Sequence, residues 1–136
     1  MNTGKAKYYR NLFRIAAIYD VALGITFTFF PEPTFDALGI RAKLPVFDGY
    51  LTLLGAFVLV IGIGYFLIAR GDLQRNRDLI FIGVLYKLAY SATAFYYWLA
   101  GELPHVIFGA LFGVADAVFF VLMAECYWSL KQETQN

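Results

Sequence analysis

A single cysteine, Cys126, and a single histidine, His105, are all this chain offers of the residue types that most often hold metals or carry redox chemistry. A lone thiol makes no intramolecular disulfide, no C-x-x-C pair and no thiolate cluster. A lone imidazole cannot supply two axial haem ligands or a multi-histidine zinc site. No metal site and no intrinsic cofactor are therefore expected, and b-type cytochrome, di-iron and vitamin-K-reductase-like chemistries are excluded unless partner chains bring ligands. Charge is scarce as well: 15% of residues are charged, against about 25% in an average soluble domain. Lys and Arg number 11 against 10 Asp and Glu, a net charge of +1. The strongly basic surface of a nucleic-acid binder is absent from that balance, so no nucleic acid is expected as a partner.

Apolar residues are what the chain has in abundance. Of its 136 residues 60% are hydrophobic and 19% aromatic, and the mean hydropathy is +0.62. The charges gather between four long apolar runs, a pattern that excludes a soluble enzyme or a disordered chain. A spanning helix needs about 20 mostly apolar residues. The runs are residues 12–30, stopped by Pro31 and Pro33; 50–69, ended by Arg70; 79–100, bounded by Asp78 and Gly101-Glu102; and 104–125, with Pro104 suited to a helix start. The expected fold is all-α, an integral membrane four-helix bundle forming one transmembrane domain over residues 1–136. The first run exceeds the apolar stretch of a signal peptide and lacks a small-x-small cleavage pattern, so it is expected to stay attached.

Orientation follows from the basic residues. Lys5, Lys7, Arg10, Arg14, Arg70, Arg75, Arg77 and Lys131 fall on one side of the spans, eight in all, against Arg41 and Lys43 on the other. Both termini are thus expected in the cytoplasm. Tyr8, Tyr9, Tyr127 and Trp128 would mark one interface, and Tyr50, Tyr96, Tyr97 and Trp98 the other. The connection from Pro31 to Phe47 is too apolar for a plain loop. Within it Thr34 to Ile40 begins on a capping residue and closes on Gly39. The segment predicts a short interfacial helix between spans one and two, with Phe35, Leu38 and Ile40 dipping toward lipid. Lys131 to Asn136 are expected to fray.

Three charges lie inside spans, where each needs a partner or a cavity: Asp20, Lys87 and Asp116. Asp20 is eight residues past Leu12, Lys87 eight past Leu79, and Asp116 nine short of Glu125. At the α-helical rise each stands roughly 12–14 Å from the cytoplasmic end, near the middle of the hydrocarbon core. Complementary charges on three helices at one level predict a buried ion cluster. Small residues surround them at helical spacing: Ala16, Gly24 and Thr28 with Asp20; Gly83 and Ser91 with Lys87; Gly109, Gly113 and Ala117 beside Asp116. Such residues let helices approach closely in lipid. Gly55, Ala56, Gly62 and Gly64 of span two read as a packing surface. Tyr19, Tyr86 and Tyr90 lie within a turn of the charges, placed to donate hydroxyl hydrogen bonds.

Two aspartates beside one lysine leave one negative charge in excess, which a proton, a cation or a donor would balance. Asp20, Lys87, Asp116, Tyr19, Tyr86, Tyr90 and Ser91 thus form a candidate ligand or proton site. The competing reading is purely structural, a buried pair that locks helix order and register. Asp48 and Glu102 read as solvated, His105 as an interfacial side chain, Arg14 and Glu125 as reaching the headgroups, and Cys126 as inert. The abundant aromatics read as mostly lipid-facing or interfacial, rather than as a cofactor box.

These residues also carry a family likeness. Tyr19-Asp20 to Gly24, Phe30-Pro31-Glu32-Pro33, Leu54-Gly55 through Gly62-Ile63-Gly64-Tyr65 to Ala69-Arg70, Tyr86-Lys87, Gly101-Glu102-Leu103-Pro104 and Ala115-Asp116 resemble the DoxX-like superfamily of small four-helix bacterial membrane proteins, over about residues 10–125. The resemblance implies a four-helix bundle in the bacterial inner membrane. Some members are similar to subunits of thiosulfate:quinone oxidoreductase or of other membrane oxidoreductase complexes. The glutamate that such proteins often carry near the start of span two is matched at best by Asp48, and no catalytic residue is carried over. Three functions are compatible with the sequence. The first is a non-enzymatic accessory or binding subunit holding a quinone, lipid or other hydrophobic ligand near the Asp/Lys/Asp cluster. The second is a proton-coupled small transporter or channel acting as a homodimer. The third is a membrane subunit of a quinone-linked oxidoreductase complex, whose electrons would come from another chain.

Overall fold

The computed structural model describes residues 1–135. Its elements are helices throughout, with no strand among the described residues. Helix α1 spans Thr3–Phe29, α2 Pro31–Ala37, α3 Gly49–Arg70 and α4 Arg77–Leu99. The fourth long helix, α5, covers residues 106–135. It opens with one turn, Val106–Phe108, passes through a π-helical segment, Gly109–Ala115, and continues as α-helix over Asp116–Gln135. A short 3₁₀ turn, Arg41–Lys43, lies between α2 and α3. Helices α1, α3, α4 and α5 are each long and apolar enough to cross a membrane.

Two of these helices extend well past the apolar runs that announced them. Helix α1 starts nine residues before Leu12 because Asn2 caps it, its side chain accepting from the Lys5 amide at 2.8 Å. Its added turns pack on the far end of α5. Tyr9, fully buried, donates to Glu125 at 2.9 Å, Lys5 Nζ reaches Ser129 at 3.0 Å, and the Met1 amine pairs with Glu133 at 2.5 Å. The beginning of α1 and the end of α5 therefore share one end of the bundle. Tyr9 faces the bundle interior, and Glu125, itself exposed, accepts its hydroxyl. Gln74 donates to the Leu130 carbonyl at 3.1 Å and to Thr134 Oγ1 at 2.6 Å. These contacts carry α5 as helix through the residues expected to fray, up to Gln135; Asn136 lies outside the described residues.

Helices α1 and α3 make the closest pairing in the molecule, and glycine is the reason. A Cβ at Gly24 would stand 2.5 Å from the Leu59 amide nitrogen, one at Gly55 2.5 Å from that of Thr28, and one at Gly62 2.8 Å from that of Val21. The backbones touch where those side chains are missing. Gly64, expected on the same packing surface, faces open space instead, because two residues along a helix turn away from one face.

Pro31 ends α1 as expected and at once begins α2, where its missing N–H and fixed φ suit the first helical position. The short helix therefore starts three residues before Thr34. Gly39, at φ 69°, closes it in the left-handed conformation. The Arg41 guanidinium bonds Asp36 at 2.5 Å and Glu32 at 3.0 Å. The expectation that Phe35 dips toward lipid is overturned. Phe35 is buried, its ring 6.0 Å from that of Phe108, and Leu38 and Ile40 pack on the same cluster. Apolar rings at the ends of α1 and α5 provide a better-packed surface for it than an interface does.

Candidate functional site

Asp20, Lys87 and Asp116 meet in the interior of the bundle, brought there by α1, α4 and α5. The Lys87 ammonium lies 2.8 and 2.9 Å from the two Asp20 carboxylate oxygens and 2.8 Å from Asp116 Oδ1. An ammonium has three donors, and each has an oxygen. The lysine side chain is 0% exposed and each aspartate side chain 2%. Such a cluster tolerates burial only because the charges are paired and their hydrogen bonds are made. With two carboxylates and one ammonium, its formal charge is −1.

Aromatic rings enclose the cation. The Lys87 Nζ is 5.1 Å from the centroid of Phe119, 5.2 Å from Tyr19, 5.2 Å from Tyr86 and 5.7 Å from Tyr65. Negative ring faces at these distances attract an ammonium. The tyrosines act here through their rings. The Tyr19 hydroxyl, expected to serve the charges, donates instead to the Leu111 carbonyl at 2.7 Å, and that of Tyr65 to the Gly83 carbonyl at 3.2 Å. The Tyr86 ring lies 4.7 Å from that of Tyr90 at a tilt of 41°, and Tyr90, one ring further from the charges, meets Phe112 at 5.8 Å. Tyr19 and Tyr86 stand beside Lys87, as expected of residues within a turn of the charges, and Tyr65 and Phe119 join them. Of the two residues the sequence reading missed, Phe119 stands three positions after Asp116 and hence on its side of the helix. Tyr65 carries no such signal, since its direction depends on how α3 is rotated against α1.

The π segment sets the approach of Asp116. It ends immediately before that residue, and hydroxyls from two other helices donate to its carbonyls. Tyr19 of α1 reaches Leu111 O, and Ser91 of α4 reaches Gly113 O at 3.0 Å. A π turn leaves carbonyls poorly served by the helix itself, and such segments recur at functional sites. Ser91 is therefore a brace for the backbone that carries Asp116, one turn beyond Lys87 on α4.

Beside the cluster, away from the terminus-bearing end, lies a cavity of about 460 Å³. Tyr90, Thr93 and Tyr97 form one wall on α4, opposite Phe27, Phe108 and Phe112. No lining side chain is charged among the described residues. From Tyr90 to Tyr97 the wall runs about 10 Å along the helix axis. Tyr90 joins this cavity to the ion cluster through its contact with Tyr86. His105, by contrast, is a cap, its Nδ1 accepting from the Ile107 amide at 3.1 Å, and Cys126 is buried away from the cavity.

No protein-family model, no curated protein and no solved structure matches the chain.

Proposed function

We propose that this chain is a multi-pass protein of the bacterial inner membrane, with both termini in the cytoplasm. In this reading it is a non-enzymatic binding or accessory subunit that holds an uncharged hydrophobic ligand with a polar head, a quinone or a neutral lipid. The observation that carries the reading is the 460 Å³ aromatic cavity set one ring away from a buried ion cluster. Its volume lies within the roughly 300–1,000 Å³ of small-molecule sites, and apolar walls with few polar groups are what such sites have. The hydroxyl-bearing Tyr90, Thr93 and Tyr97 supply those groups, and the lack of lining charge disfavours an anionic occupant. The eight-to-two distribution of basic residues supports the orientation, as does the shared end of the α1 start and the α5 tail.

Native mass spectrometry of gently purified protein tests the proposal. A quinone or lipid should travel with the chain and be lost from Ala94→Trp, which fills the cavity, but not from Leu85→Trp on the exposed face. A wild-type chain free of any bound molecule overturns it.

The formal charge of −1 on the cluster favours a second reading, a proton-coupled transporter working as a dimer. Its test is pH-dependent flux in liposomes, which Asp116→Asn should abolish while the fold persists. Membership of a quinone-linked oxidoreductase complex is a special case of the first reading, with the redox centre on another chain.

A further inference from the structure

The ion cluster sits between two unlike halves of the bundle. Toward the shared end of the termini the interior is closed. Phe13, Ala16 and Ala17 of α1, Ile68 of α3, Ile80 of α4 and Met123 of α5 are each at most 4% exposed. All belong to one continuous apolar cluster. On α1 the next buried side chain with a polar atom toward that end is Tyr9, eleven residues from Asp20, or roughly 16 Å along the axis. Toward the other end the barrier is one helical turn. Ser91 follows Lys87 by four residues, about 6 Å of rise, and Ala94, just beyond it, borders the cavity. Ser91 and Tyr90 are the layer between the cavity and the charges.

We propose that the Asp20–Lys87–Asp116 cluster is a proton-binding site with access from one side only, through the cavity and past Ser91. In the step it implies, an O–H bond of a hydronium, a water or a ligand hydroxyl at the cavity floor breaks and an O–H bond to a carboxylate oxygen of Asp116 forms. The donor keeps its electron pair as hydroxide or ligand anion, or reverts to water if it was hydronium. The cluster passes from −1 to neutral with the Lys87 ammonium unchanged. The titratable groups facing Asp116 are Asp20 and Tyr19 from α1, Tyr65 from α3, and Lys87 and Tyr86 from α4, with Tyr90 behind them. Only Tyr90 among these also lines the cavity. Asp116 is the natural acceptor because a single one of its oxygens is bonded to the ammonium, whereas both oxygens of Asp20 are. The inference uses the cavity but not the identity of its occupant, so it survives if the ligand-binding reading fails.

Thiol labelling in lipid nanodiscs reads the asymmetry directly. In a Cys126→Ala background, Ser91→Cys and Met123→Cys place one thiol on each side of the cluster, both at buried positions. Modification by the small cation methanethiosulfonate ethylammonium requires an accessible thiol, and Ser91→Cys should react about tenfold or more faster than Met123→Cys. Adding Ala94→Trp should slow the Ser91→Cys reaction. Equal rates, a faster Met123→Cys, or indifference to Ala94→Trp overturns the proposal. Because Ser91→Cys loosens a brace, a second measurement uses native side chains at the cluster. Hydrogen–deuterium exchange of the Lys87 ammonium, followed by infrared spectroscopy, should be slower in Ala94→Trp than in wild type. Identical exchange in the two also overturns it. A one-sided labelling pattern in protein that carries no bound molecule would retain this inference while removing the ligand-binding one.

Discussion

The carboxylate of Asp20 takes two of the three hydrogen bonds of the Lys87 ammonium, at 2.8 and 2.9 Å, and so holds it from α1 across to α4. Asp116 takes the third. Removing the cation strands both carboxylates together in the interior. Lys87→Met should therefore cost about 3–5 kcal/mol of stability, the penalty of breaking a buried ion pair. Adding Asp20→Asn and Asp116→Asn should restore most of it, since no unpaired charge then remains. Chemical unfolding in micelles measures both. A single variant as stable as wild type would contradict the burial and pairing of the cluster.

The contact of Gly62 with Val21 keeps Asp20 at its depth. Gly62→Ala places a Cβ 2.8 Å from the Val21 amide nitrogen and 3.2 Å from the Asp20 carbonyl carbon, atoms of a helix backbone that cannot yield alone. An overpacking cost of about 1–3 kcal/mol is expected. Gly64→Ala, two residues on and facing open space, should be neutral or stabilising by up to about 1 kcal/mol through helix propensity. Thermal unfolding of the two variants side by side separates them.

Tyr19 and Ser91 hold the π segment from opposite sides. Tyr19→Phe should lose about 1 kcal/mol for its hydrogen bond, and Ser91→Ala a similar amount. The local readout is amide hydrogen exchange, which should rise over Gly109–Ala115 in either variant and rise most in the double. Exchange that changes elsewhere but not in this segment would show that the braces do not govern it.

Two kinds of contact hold α2, and they should differ greatly in worth. Asp36, then Glu32, push the Arg41 guanidinium above its ordinary value, so it keeps its charge at any accessible pH. The pair is exposed, however, and such pairs contribute little. Arg41→Ala should leave the unfolding midpoint unchanged at any salt concentration. Phe35→Ala removes a buried ring from the Phe27–Phe108 cluster and should cost about 3–5 kcal/mol. Calorimetry of the two variants tests the contrast.

The linear chain determined the number of long apolar helices, because length and continuity of hydrophobic character are properties of the chain itself. It also determined that Asp20, Lys87 and Asp116 lie at one level, because rise per residue turns sequence offset into depth. Rotation about a helix axis is different. It is settled by which surfaces pack, and the glycines of α1 and α3 turn those two helices so that Tyr65 meets Lys87. Tertiary structure alone directed the Tyr19 hydroxyl to a backbone carbonyl, buried Tyr9 and Phe35, and produced the π turns before Asp116. The cavity arises in the same way. It is the space left between rings whose directions depend on neighbours distant along the chain, and no local pattern of residues encodes such a space.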